Sequence, residues 1–135
     1  MNEVKEAVPP PLGGVGMPAA LWLHEFGSQV WGAFGDCPYH VGSSLRLKTG
    51  WRDVDVRLIL SDEDFESLFP GLVPGQDEHW NGKWVALCLA FSALGKQMTG
   101  LPIDFQIQQR TKANLLFGKP GDYRSALGVV PLRFK

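Results

Sequence analysis

Two stretches of this chain alternate strictly between apolar and polar residues, and two longer ones repeat with helical spacing. "RDVDVRLIL" sends Val54, Val56, Leu58 and Leu60 one way and Asp53, Asp55, Arg57 and Ile59 the other, the two-residue period of a strand. "IDFQIQ" repeats the pattern, with Ile103, Phe105 and Ile107 opposite Asp104, Gln106 and Gln108. From Pro18, the recurrence of Leu23, Phe26, Val30 and Ala33 or Phe34 predicts a helix that Gly35-Asp36 stops. Gly27 and Gly32 weaken it, since each glycine costs about 1 kcal/mol relative to alanine inside a helix. Trp80, Trp84, Leu87, Cys88, Phe91, Leu94 and Met98 predict a second, core-facing helix, broken by Gly100 and Pro102.

Shorter elements fill the intervals. "PYHV" reads as a strand ending at Gly42-Ser43, and "SSLRLKTG" as a short helix closed by Gly50. Residues 61–82 are acidic and carry Pro70, Gly71, Pro74 and Gly75, which predicts an irregular excursion with a helical turn over 62–68. A further helix is expected over 112–117, then "GKPGDYR" as a turn, then an apolar ending. Three consecutive prolines and the glycines after them make residues 1–17 an extended, flexible arm. Residues 18–135 form one domain of the α+β class, a mixed sheet of a few strands with helices on its apolar face.

Composition narrows the function classes. Hydrophobic residues at 44% and charged residues at 20% describe a globular chain that can bury one core. A formal net charge of -1 argues against a broad footprint on duplex DNA or on an anionic membrane, and leaves room for a local nucleotide site. The longest apolar run, "WVALCLAFSALG", is too short to span a bilayer. Cys37 and Cys88 form no Cys-x-x-Cys pair and read as reduced thiols of a cytoplasmic protein. His24, His40 and His79 are too scattered for structural zinc.

The polar faces of the two alternating strands carry the candidate chemistry. Asp53 and Asp55 lie two residues apart on one strand face, roughly 6.5–7 Å by the strand rise. If the strand bearing Asp104 is a neighbour in register, three carboxylates share one surface. Such a trio raises its own pKa values unless a cation intervenes, and Mg²⁺ suits it, with water and phosphates completing the shell. Gly42 lets backbone approach a ligand closely, and Ser43 can donate to a phosphate oxygen. Taken singly, each motif is more often an ordinary solvated strand or turn; their conjunction is what points to a site.

"VGSS", then "DVDV" after nine residues beyond Ser43, then "IDF" resemble the signature of the nucleotidyltransferase superfamily, the group containing DNA polymerase beta. The resemblance spans residues 39–108 and is similar to the minimal single-domain members. It implies that Gly42 and Ser43 hold nucleotide phosphates, that Asp53 and Asp55 bind the metals, and that Asp104 completes one metal site and helps deprotonate the acceptor. It implies Mg²⁺, with Mn²⁺ as a substitute, and a nucleoside triphosphate as substrate. The acceptor is a hydroxyl on protein, nucleic acid or a small molecule. No helical domain for base and acceptor fits after Gln108, so either the cleft is open or a second copy or partner protein completes it. Arg46, Lys48 and Arg57 are candidate phosphate contacts kept outside the site, and Trp51 is expected to border a base or sugar. A non-catalytic binding or regulatory module, such as an antitoxin-type partner, and a plain structural domain are the competing readings.

Overall fold

The alternating stretch that dominates the sequence becomes the middle of the sheet. In the computed structural model, which describes residues 14–128, β2 (Val54–Leu60) lies between β1 (Tyr39–Val41) and β3 (Ile103–Gln109). β4 (Ser125–Ala126) joins the far side of β1, giving the order β3-β2-β1-β4. β1 is antiparallel to β2 and β4, while β2 and β3 are parallel. Between the strands run α1 (Ala19–Phe34), α2 (Ser43–Arg46), α3 (Asp62–Leu68), α4 (Gly82–Thr99) and α5 (Arg110–Phe117), with a 3₁₀ turn at Glu78–Trp80. This is an α+β architecture around a mixed sheet.

One face of the sheet is dry. Val54, Val56 and Leu58 of β2 and Phe105 and Ile107 of β3 pack against Leu23, Phe26 and Val30 of α1 and Trp84 and Cys88 of α4. Each large apolar side chain buried there contributes on the order of 1.5–3 kcal/mol. Phe26 meets Phe105 edge-on, with ring centroids 6.1 Å apart.

The outer edge of β3 would otherwise expose unpaired backbone groups. α4 covers it: the Trp84 indole donates to the Ile107 carbonyl at 2.9 Å, and Ser92 Oγ accepts from the Phe105 amide at 2.8 Å. Asn81 caps α4 by accepting from the Trp84 amide at 2.9 Å, and Gly100 closes it in the left-handed conformation. The cap corrects one expectation. The helical frame starts after Asn81, so Trp80 falls in the preceding 3₁₀ turn and is 89% exposed rather than core.

Residues 61–82 are more ordered than their composition suggests. Ser61 caps α3 by accepting from the Asp64 amide, and the three acidic residues of its first turn suit the helix dipole. Phe65, Phe69 and Leu72 are buried, so the excursion is anchored in the core. The Asp62 carboxylate accepts from both the amide and the hydroxyl of Thr111, tying α3 to α5, which starts at Arg110 rather than at 112. The arm expected over 1–17 lies outside the described residues up to position 13. Its described end is attached: the Gly14 amide donates to the Ser44 carbonyl at 2.9 Å, and Val15 packs on the core. The apolar ending beyond Gly128 lies outside them too. Among the described residues no helix is long and apolar enough to cross a membrane.

Two glycines of α1 have opposite roles. Gly27 is buried where a Cβ would stand 2.8 Å from the Leu127 carbonyl carbon and 2.9 Å from the Gly128 amide, so backbone contact requires it. Nothing lies within 4 Å of a Cβ at Gly32. Gly32→Ala should therefore raise stability by up to about 1 kcal/mol, whereas Gly27→Ala should lower it despite the same gain in helix propensity. Urea unfolding of both variants checks this, and equal shifts in the same direction would refute the packing account.

Candidate functional site

The register of β2 against β3 decides what the polar face presents. Asp55 pairs with Asp104, Arg57 with Gln106, and Ile59 with Gln108, so the two strands carry matched rows. The row is charged at the Asp55 end and apolar with an amide at the Ile59 end. Arg57 stands between the acids: its guanidinium is 3.7 Å from the Asp55 carboxylate and 3.5 Å from that of Asp104. It also donates to the Asp104 carbonyl at 2.6 Å, which anchors it to β3.

Asp53 lies near enough to Asp55 to raise that residue's pKa. β2 begins at Val54, and Asp53 lies exposed just ahead of it. Among the described residues no three or more His, Cys, Asp or Glu side chains are grouped as a metal cage. The donors nonetheless suit a hard divalent cation, because Mg²⁺ is commonly held by one or two carboxylates, with water and substrate phosphates supplying the rest. The electrostatics agree. Burial pushes the Asp55 carboxyl above its usual range; Arg57 works against that push, while Asp104 and Asp53 add to it. A carboxylate in that setting gains from further positive charge.

Gly42 faces the same carboxylate. Its φ of 82° and ψ of -166° are open essentially to glycine alone, and a Cβ there would collide with the Asp55 carboxylate. The turn thus brings backbone directly against Asp55. Ser43 opens α2, which is only four residues long, and Ser43 does not line the cleft. The neighbouring Ser44 is fully buried, with its hydroxyl 2.7 Å from His40 Nε2, so the pair fastens α2 to β1 beneath the turn.

Above these strands lies a cleft of about 200 Å³. Asp55, Arg57, Ile59, Gln106 and Gln108 of β2 and β3 line it, together with Gly42, Arg46, Phe117 and Tyr123. Asp104 instead lines a shallower hollow of about 180 Å³ along the outer edge of β3, with His79, Ser92 and Gln106 among its walls. Gln106 borders both. Asp104 therefore faces the second hollow, while its strand partner Asp55 lines the first.

Sequence reasoning placed Asp53, Asp55 and Asp104 on one surface with Gly42 and Ser43 facing it. The structure pairs Asp55 with Asp104 across the strands and sets Gly42 against the Asp55 carboxylate, with Asp53 exposed one residue ahead of β2. The same reasoning left Arg57 outside the site, although strand alternation already put that residue beside the acids. It expected Trp51 to border a ligand; the ring packs on the core instead, with its Nε1 buried and unpartnered among the described residues. "GKPGDYR" is a turn as expected, with the Asp122 amide donating to the Lys119 carbonyl, yet it delivers Tyr123 and Arg124 to the cleft. No local pattern announces that placement, which comes from the chain returning from α5 to β4. Both cysteines are free, and burial pushes the Cys88 thiol up to about 11, leaving it unsuited as a nucleophile.

No family model, curated protein or solved structure matches the chain.

Burial, with a smaller contribution from His24, pulls the His40 pKa down from 6.5 to about 4. Between those values the unfolded chain binds a proton that the folded one refuses, so stability falls as pH drops through that window. The slope is at most about 1.4 kcal/mol per pH unit. His40→Gln should flatten the part of the decline between pH 7 and pH 5 that this residue causes. Urea midpoints at the two pH values measure it, and parallel declines in the two proteins would show that His40 is not its source.

Proposed function

We propose that this chain is a metal-dependent nucleotidyltransferase. It moves a nucleoside monophosphate from a nucleoside triphosphate to a hydroxyl acceptor and releases pyrophosphate. The observation that carries the reading is the pairing of Asp55 with Asp104 across two parallel strands, facing a glycine turn whose backbone abuts the Asp55 carboxylate. The nucleotidyltransferase-like fold and the roles drawn from the sequence resemblance belong to this same proposal.

In the reaction the acceptor oxygen forms a bond to the α-phosphorus, and the bond from that phosphorus to the bridging oxygen of pyrophosphate breaks. The leaving pyrophosphate carries away the electron pair. Asp55 and Asp104, with Asp53 ahead of the strand, would hold Mg²⁺ or Mn²⁺, which when bound neutralises charge on the transferring and leaving phosphates. Gly42 lets the phosphates approach the turn; the Ser43 hydroxyl, which the sequence resemblance assigns as a phosphate donor, lies outside the cleft lining. Asp104 has the more open carboxylate, with 39% of its side chain exposed against 26% for Asp55, and it borders the second hollow. It is the group suited to take the acceptor's proton, with the acceptor approaching along the β3 edge. Arg57, held by the β3 backbone, keeps the two acids in place and neutralises part of their charge.

One observation favours a second reading, a nucleotide-binding or regulatory module without turnover. The Arg57 guanidinium already stands between the two carboxylates and balances them. The two readings separate by incubating the protein with labelled nucleoside triphosphate, Mn²⁺ or Mg²⁺ and candidate acceptors: binding without transfer supports the module.

Asp104→Asn and Asp53→Asn should abolish transfer with little change in thermal unfolding, since partly exposed ion pairs contribute only about 0–1 kcal/mol. Asp55→Asn should abolish it too, while leaving the Tm at pH 7 unchanged or higher, because it removes a carboxylate whose ionised form burial and like charge disfavour. Full activity in any of the three variants would falsify the assignment of roles.

A further inference from the structure

α2 is too short to hold itself together. Ser43–Arg46 is four residues, and one helical turn in water does not offset the cost of fixing its backbone. Its own bonds are few: the Leu45 amide donates to the Gly42 carbonyl at 3.1 Å, and the Leu47 amide to the Ser43 carbonyl at 2.8 Å. A third bond comes from outside. The Gly14 amide donates to the Ser44 carbonyl, supplying a partner of the kind that the end of a helix lacks. From there the chain runs through Val15, packed on the core, to Gly16, whose carbonyl accepts from the Ala20 amide in the first turn of α1. Residues 14–16 thus form a strap from α1 to α2, and α2 follows directly on the Gly42 turn that abuts Asp55.

The seat of this strap has a defect. The Gly14 backbone lies between the Leu47 carbonyl oxygen and the Trp51 indole nitrogen, both of which a Cβ at that position would overlap. Among the described residues, Trp51 Nε1 is the one buried side-chain polar atom without a hydrogen-bond partner. The buried Trp84 indole, by contrast, donates to the Ile107 carbonyl. A buried donor left unpaired costs at least as much as a typical hydrogen bond contributes. The closed strap therefore gains one bond and a packed valine, and loses the hydration of one indole N–H.

We propose that residues 14–16 are a strap with two states, closed and open, and that the closed state positions the glycine turn of the cleft. Closed, Gly14 holds Ser44 and, through the bond between Leu45 and Gly42, keeps the turn against Asp55. Open, Trp51 Nε1 reaches water and the Ser44 carbonyl loses its partner. α2 then keeps only its anchors at Ser44 and Leu45, and the Gly42 turn loosens. Gly14 is in this sense a positioning residue for the candidate site, although it does not line the cleft. The two states belong to the protein without ligand, so they stand or fall independently of the nucleotidyltransferase reading.

Native-state hydrogen exchange on the full chain tests this, followed by NMR at the Gly14, Leu45 and Leu47 amides and the Trp51 indole N–H. In the wild type these four protons should exchange through one shared opening, faster than the amides of β2 and β3. Low urea concentrations should barely change it, because so local an opening exposes little surface. Gly14→Ala puts a Cβ into occupied space and should speed all four by roughly tenfold or more, the scale of one lost hydrogen bond, while β2 and β3 stay protected. If the four protons exchange only together with β2 and β3, and with the same urea dependence, the strap is ordinary core and has no second state. If Gly14→Ala frees the Gly14 and Trp51 protons but not those of Leu45 and Leu47, the strap opens without governing the turn. Either result overturns the proposal, and the first is decided on the wild type alone, whether or not the variant folds.

Discussion

Everything that makes this protein's surface chemically specific depends on the register of two parallel strands. With Asp55 beside Asp104, the residues Val54, Val56 and Leu58 lie over the same helices as Phe105 and Ile107. A slip of one residue would turn those side chains to water and the acids into the core, so burial of one face holds the other face in place. The carboxylate pair is thus maintained by hydrophobic packing on the opposite side of the sheet. Its own interactions are less favourable: the acids repel, and Arg57, fixed to the backbone of β3, offsets only part of that.

α4 contributes at two levels. Its apolar stripe supplies core, and its Trp84 and Ser92 satisfy the backbone of an edge strand that would otherwise be open to pairing with another chain. The same helix walls the hollow that Asp104 borders. A short three-residue β1 is steadied differently, through the buried contact between His40 and Ser44 that fixes α2 beneath the glycine turn. The conformation of Gly42 is in this sense supported from below, by residues that touch no ligand.

The elements themselves were largely legible in the sequence. Period-two alternation located β2 and β3, and helical spacing located α1 and α4. Val54, Val56, Leu58, Phe105, Ile107, Phe26 and Val30, assigned to apolar faces, are buried, while Leu87, Phe91, Leu94 and Met98 are half-buried and Ile59, assigned to the polar face, is buried. Trp80 misled because spacing alone does not reveal that Asn81 caps the helix one residue later. Within residues 61–82 the helical turn over 62–68 was legible, but the acidic, Pro- and Gly-rich composition concealed that Phe65, Phe69 and Leu72, at i, i+4 and i+7, reach the core.

By itself the sequence determined which faces are dry and which are wet, and therefore that Asp55 and Asp104 had to sit on polar faces of strands. Alternation is a local property, set by backbone geometry and side-chain polarity over a few residues. Only the tertiary structure decided that β2 and β3 are neighbours and that their register puts one aspartate directly beside the other. It also decided that Phe117 and Tyr123 line the cleft. Those outcomes depend on the path of the chain between strands and on how α5 and the following turn pack against the sheet. Such long-range packing leaves no periodic trace in the residues it brings together.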